Sequence, residues 1–202
     1  MRLGIFCGTF DPPHNGHLAL AAAARDELGI DRVLWVLAAD PPHKQDRIIS
    51  PASDRLDMVQ AAIAGEPGFE LSRVDLDRPG PHWTADTVAL LGQQYPGDEL
   101  VFVMGGDSLK DLPTWGRPQE IVDCCILGVL RRPGAQVDLP ALEAVLPGLT
   151  AKVRFIDEPP LSVSGREIRE RVSTGRSITG LVPPEVAGII AERGLYRQTA
   201  CA

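Results

Sequence analysis

The chain has 202 residues, 44% of them hydrophobic, which is enough to fill one sizeable α/β domain and too much for global disorder. Its 20 Lys and Arg face 27 Asp and Glu, a net charge of −7 that speaks against nucleic acid as a partner while leaving room for a small anion in a local cationic pocket. No run is apolar and long enough for a bilayer or a signal peptide, and Cys7, Cys124, Cys125 and Cys201 form no C-x-x-C pair. No membrane partner, a cytoplasmic location and buried, reduced thiols at Cys124 and Cys125 are the expectations.

In chain order, residues 3–7 read as a buried strand, followed by a Gly/Pro-rich loop and an apolar helix over 17–28. Residues 33–38 give a second strand, 40–51 a charged, proline-rich loop, and 53–64 a helix with Ser53 as N-cap. A third strand is expected over 69–77 and a helix over 84–94, stopped by Pro96-Gly97. Residues 100–104 form another strand, with helical signals at 108–112 and 118–124. Strands at 126–130 and 153–156 flank a short helix at 139–146, and helices at 164–173 and 184–193 finish the chain. Short apolar strands alternating with helices predict a doubly wound, Rossmann-like parallel sheet with helices on both faces. Residues 1–202 read as one domain, with about 160–202 as a small C-terminal helical extension.

The most informative stretch is Gly8-Thr9-Phe10-Asp11-Pro12-Pro13-His14-Asn15-Gly16-His17, between a strand and a helix. Such a turn lies at the carboxyl edge of a doubly wound sheet, where ligands bind, and free N–H groups at a helix start suit phosphate. Gly8 and Gly16 allow close backbone approach, and His14 and His17, three apart, can face one centre. Two imidazoles there can donate to oxygens that gain charge during nucleotidyl transfer. The loop matches neither the G-x-x-x-x-G-K-[ST] phosphate loop nor the G-x-G-x-x-G fingerprint. A metal pair or a simple helix cap is the competing reading of the histidines.

The ten residues 8–17 resemble the signature of the H-x-G-H nucleotidyltransferase superfamily and, within it, of bacterial nicotinate-nucleotide adenylyltransferases. That resemblance implies transfer of the adenylyl group of ATP to nicotinate mononucleotide in NAD synthesis, with Mg²⁺ accompanying the ATP and no dedicated protein metal cage. Gly8, Thr9, Phe10 and Gly16 would then serve ATP, and His14 and His17 the transferred phosphate. Further segments fit in the same order. Pro41-Pro42-His43-Lys44 follows the second strand, and Lys44 would approach the triphosphate; a plain exposed lysine is the alternative. His82-Trp83-Thr84-Ala85-Asp86-Thr87 is similar to the family's aromatic-T-x-D-T segment, which implies pyridine recognition by Trp83 and Thr84; Thr84 also reads as a helix cap. Met104-Gly105-Gly106-Asp107 looks like the family's M-G-x-D, so Gly105 and Asp107 would meet the adenosine. Trp115 aligns with a tryptophan that stacks on the pyridine, or is simply a core residue.

Ser162 to Arg169 resembles the family's I-S-S-T-x-I-R, with Gly165 and Arg166 where Ser and Thr usually stand. Ser164 with Glu167 reads as a capping box opening a helix whose N-terminus can hold phosphate, with Arg169 facing the same way. The missing hydroxyl leaves two options: Arg166 substitutes as donor, or backbone N–H groups suffice. The rival readings are a pantetheine-phosphate adenylyltransferase, which shares the first loop, and a nucleotide sensor without catalysis, which would not need both histidines.

Overall fold

The computed structural model describes residues 1–39, 49–131, 137–157 and 163–197. Within them six strands pair in parallel: β1 (Arg2–Gly8), β2 (Arg32–Leu37), β3 (Phe69–Ser72), β4 (Glu99–Gly105), β5 (Cys125–Arg131) and β6 (Val153–Asp157), in the order β3-β2-β1-β4-β5-β6. The strands alternate apolar side chains between two faces, as a period of two demands. Leu34, Val36, Phe102 and Met104 face one core, while Val33, Trp35, Leu37, Val101 and Val103 face the other.

Each face is covered by helices with matching apolar stripes. On the first lie α3 (Thr84–Gln94), α4 (Gly106–Asp111), α5 (Pro118–Cys124), α6 (Leu139–Val145) and α7 (Leu149–Lys152), contributing Val88, Leu91, Leu109, Ile121, Leu142 and Leu149. On the second lie α1 (Asn15–Leu28) and α2 (Ala52–Ile63), contributing Ala21, Ala24, Val59 and Ile63. The remaining face of α2, with Met58 and Ala62, carries α8 (Gly165–Ser173) and α9 (Pro184–Glu192) through Ile168, Val186 and Ile190. Arg193 adds bonds of 2.6 Å to Asp54 and Asp57 of α2. The C-terminal helices thus rest on the helix that follows the 40–48 segment.

Several expected boundaries move. Strand β3 ends at Ser72 instead of continuing to 77, because Asp75 turns inward and accepts from the Thr87 hydroxyl and Arg78 guanidinium, each at 2.8 Å. Ser53 does not cap α2. The helix starts one residue earlier, after Pro51, whose ring-restricted φ of −47° sets the first turn, and no side chain caps it. Thr84 is likewise the first helical residue of α3 and not its cap; Trp83 holds that position without a side-chain bond. Cys125 is buried at the head of β5, but Cys124, at the end of α5, is exposed.

Strand order reverses between β1 and β4: the chain runs outward through β2 and β3, then returns to the other side of β1. The loop after β1 and the turn after β4 therefore flank the crevice where open α/β sheets bind ligands.

Candidate active site

The first loop is shaped mainly by packing. The ring of Phe10 is 2% exposed and lies edge-on to Phe6 and against Trp35, with its centroid 5.1 Å from the His17 ring. Holding that ring inward requires φ of +48° at Phe10, a conformation costly for a bulky residue. A Cβ on Gly8 would sit 2.6 Å from the same ring. A Cβ on Gly16 would come within 3.1 Å of the His14 imidazole. Both glycines make room for protein rings, a more specific role than backbone approach to a ligand. Phe10 can meet a nucleotide through its backbone only.

Helix α1 opens with an unusual cap. His14 is the N-cap, its Nδ1 accepting from the His17 backbone N–H at 3.3 Å, and the His17 Nδ1 accepts from the His14 N–H at 3.2 Å. This is the reciprocal geometry of a capping box, made by two histidines. The rings stack, with centroids 3.6 Å apart and planes 21° from parallel. Because both Nδ1 atoms accept, each neutral ring carries its proton on Nε2. Burial lowers the His14 pKa from 6.5 to about 4, against a smaller opposing effect of its backbone hydrogen bond, so that ring is neutral near pH 7.

The two imidazoles line a cleft of about 320 Å³ together with Gly8, Thr9, Asp11, Arg166 and Arg169. Across it stands α8, capped by Ser164, whose hydroxyl accepts from the Glu167 N–H at 3.2 Å. The Glu167 carboxylate instead accepts from Arg171 at 2.9 Å, so the expected box is made in one direction. Gly165 brings α8 against the loop: a Cβ there would lie 3.2 Å from the Asp11 carbonyl. Arg169 donates to that carbonyl at 2.5 Å. Arg166 is exposed in the first turn of α8. The cleft thus joins two helix N-termini, two imidazoles and two guanidiniums, a donor set for a polyanion.

Of the other expected residues, Gly105 ends β4, and Asp107 is exposed in the first turn of α4, on the other side of the crevice. Trp83 lies against Gly116, the residue after Trp115, at a separate part of the rim. A Cβ on Gly116 would meet the Trp83 ring at 2.7 Å, and Trp115 packs edge-on to Phe102 with centroids 6.1 Å apart. Both indoles are partly exposed. Arg117 ties this patch to α3 through Asp86 at 2.5 Å. Thr84 opens α3 beside Trp83, and no side chain caps that turn. The tryptophans, Thr84, Gly105 and Asp107 do not line the histidine cleft. Lys44 lies outside the described residues.

Sequence reasoning missed Arg55. It is 2% exposed, and its guanidinium donates to the carbonyls of Thr9, Ala38, Ala39 and Ser50 at 2.8–2.9 Å. It therefore fastens the first loop to the ends of β2 and to the start of α2. A cation three and four residues before Met58 and Val59, on the apolar face of α2, was the available signal. Asp11 was also missed as a hub: its carboxylate accepts from the Tyr196 hydroxyl at 2.7 Å and the Ser50 N–H at 3.4 Å.

Among the described residues no group of three or more His, Cys, Asp or Glu is placed to hold a metal ion. The donors lining the cleft are cationic or neutral apart from Asp11, whose oxygens are engaged. That chemistry does not fit a protein-held dication; a divalent ion would arrive on the nucleotide phosphates.

A fold with its ligand crevice at a reversal of strand order, opened by a histidine-capped helix, defines a class of nucleotide-handling α/β proteins. The chain belongs to the cytidylyltransferase-like family, whose model matches residues 5–171. A relative from Thermomicrobium roseum named "Probable nicotinate-nucleotide adenylyltransferase" is 47% identical over 196 residues, 97% of this chain and 92% of that one. One of the same name from Thermus thermophilus is 42% identical, covering 98% of this chain and all of the relative. The solved nicotinic acid mononucleotide adenylyltransferase of Plasmodium falciparum, complexed with NaAD, superposes with a TM-score of 0.78 over 96% of this chain and 97% of its own; at 19% identity it shows a shared fold.

Proposed function

We propose that the chain transfers the adenylyl group of ATP to nicotinate mononucleotide, releasing pyrophosphate and forming nicotinate adenine dinucleotide for NAD synthesis. Full-length relatives with that name support the reaction. The observation that carries it here is the stacked, reciprocally capped His14–His17 pair at the carboxyl end of β1, facing Arg166 and Arg169 across one cleft.

In the reaction a phosphate oxygen of the mononucleotide attacks the α-phosphorus of ATP. The bond from that phosphorus to the α–β bridging oxygen breaks, and pyrophosphate leaves with the electron pair. No protein nucleophile or net proton transfer is required. His14 and His17 donate from Nε2 to oxygens that gain charge, while Arg169, Arg166 and the first turns of α1 and α8 hold the phosphates. Gly8, Thr9, Phe10 and Gly16 shape that wall, and Ser164 keeps α8 in place. Lys44 adds a further charge to the triphosphate, Gly105 and Asp107 take the adenosine, and Mg²⁺ enters with ATP as part of the substrate.

Trp83 and Trp115 take the pyridine ring. The uncapped first turn of α3, beginning at Thr84, prefers a carboxylate over a carboxamide, because its N–H groups and the helix dipole favour negative charge. The reaction belongs in the cytoplasm, where the free thiols of Cys7, Cys124 and Cys125 remain reduced.

A pyrophosphate-release assay with ATP tests this. Turnover is expected with nicotinate mononucleotide, slower turnover with the nicotinamide form, and none with phosphopantetheine. Turnover with phosphopantetheine alone, or ATP binding without pyrophosphate release in any arm, would overturn the reading.

A further inference from the structure

A carboxylate is an unexpected neighbour for a triphosphate. Asp11 lines the same cleft as Arg166 and Arg169, and as a free anion it would repel phosphate and compete for the guanidiniums. Its two oxygens are instead taken up from outside the cleft: Oδ1 by the Tyr196 hydroxyl at 2.7 Å and Oδ2 by the Ser50 N–H at 3.4 Å. The Asp11 carbonyl meanwhile fixes the Arg169 guanidinium. One residue thus connects the first loop, the start of α2, α8 and the segment after α9.

Tyr196 reaches this point from 185 residues away in sequence. Its φ is +63°, a region that bulky residues rarely occupy and that costs on the order of 1–3 kcal/mol. The turn after α9 is held in that shape by the bond from the Leu195 N–H to the Ile190 carbonyl at 3.0 Å and by Arg193 on α2. The Tyr196 ring packs against the core between α2 and α9, and its hydroxyl is the part that reaches beyond that core to Asp11. The hydroxyl donates to the Asp11 carboxylate and is also met by the Ser50 side chain; burial first, and then the Asp11 bond, raise the phenol pKa, so it stays protonated at any physiological pH.

We infer that Tyr196 is a positioning residue for the phosphate cleft: its hydroxyl occupies Oδ1 of the Asp11 carboxylate, so that this anion competes less with the triphosphate for Arg166 and Arg169. The inference rests on the proposed use of the cleft by ATP phosphates. Loss of the hydroxyl releases an anion inside the cleft. Removing that anion as well restores the cleft.

The test compares the full chain with Tyr196→Phe, Asp11→Asn and the double variant. ATP affinity is read by calorimetry, and KM and kcat by pyrophosphate release. Tyr196→Phe should weaken ATP binding and raise KM for ATP about tenfold with kcat within about threefold, as for a lost binding contribution. KM for the mononucleotide and the melting temperature should change little. In the double variant, Asp11→Asn should recover most of the ATP affinity. ATP binding unchanged in Tyr196→Phe, or weakened but not recovered in the double variant, would overturn the inference. So would a loss that tracks the melting temperature and falls on kcat alone. Because calorimetry reads the tie without turnover, a wild-type chain that binds ATP but makes no dinucleotide overturns the proposed function and still decides this point.

Discussion

Two parts of the rim are built in opposite ways. The first loop is fixed at almost every residue: Phe10 is driven into the core, His14 and His17 cap one another, Asp11 is tied to Tyr196, and Arg55 holds the Thr9 carbonyl from below. The tryptophan patch is looser. Trp83 lies over Gly116, Trp115 touches Phe102 by an edge, and the exposed ion pair Arg117–Asp86 closes it from outside. The contrast suits the roles proposed for them: charge stabilisation needs donors already aimed at the reacting oxygens, whereas a flat ring needs only a flat surface and tolerates play.

The largest expected effect tests the rigid side. His17→Ala should lower kcat by about 10²-fold or more in the pyrophosphate-release assay, the usual loss on removing one preorganised donor. Near-normal turnover would remove the histidine from the chemistry. Next comes the anchor beneath the loop. Arg55→Met leaves four carbonyls without their donor and should cost about 3 kcal/mol in denaturant unfolding, with kcat falling at the same time because the loop loses its support. A loss of stability with kinetics intact would separate loop anchoring from catalysis.

The buried imidazole then predicts a pH signature. The His14 pKa is about 4 in the fold against 6.5 unfolded, so the unfolded chain binds the extra proton between these values. Stability contributed by this group rises with pH across that window, by at most about 1.4 kcal/mol per pH unit, and levels off above it. His14→Asn keeps a capping side chain and should remove this component from melts taken between pH 4.5 and 6.5. An unchanged slope would show that the ring is not buried neutral.

Smaller effects test the loose side. Trp115→Leu should raise KM for the mononucleotide about fivefold, equivalent to about 1 kcal/mol of lost stacking, and leave KM for ATP unchanged. Arg117→Ala should change stability by less than about 1 kcal/mol, since the pair is exposed. If Arg117→Ala matched the cost of Arg55→Met, the contrast between the two regions would fail.

The alternation of short apolar strands and helices was legible because strand periodicity and buried runs are local properties. So were the positions of the first loop, the Ser164 cap and the C-terminal helices. Errors arose where one residue overruled a local rule. Asp75 draws the chain inward and ends β3 at Ser72; Pro51 sets the start of α2 and leaves Ser53 inside its first turn. A simple cap was among the readings of the histidines, but its reciprocal form was not legible, because an imidazole caps through a ring nitrogen and not through one of the side-chain oxygens preferred at that position. Arg55 and Tyr196 were hidden for a different reason. Their roles lie in contacts to backbone or to a residue 185 positions away, and no spacing within one element encodes such partners.

The cap on α1 also sets a trade-off for anyone seeking a sturdier variant. Serine, asparagine or aspartate at residue 14 would hold the first turn of the helix at least as well, with no aromatic ring to desolvate. Each would tighten the resting fold and, on the proposed mechanism, delete a donor from the reaction. The helix therefore begins with a second-best cap, and if His14 donates as proposed, thermostability screens run without substrate should repeatedly select replacements at this position that have lost turnover.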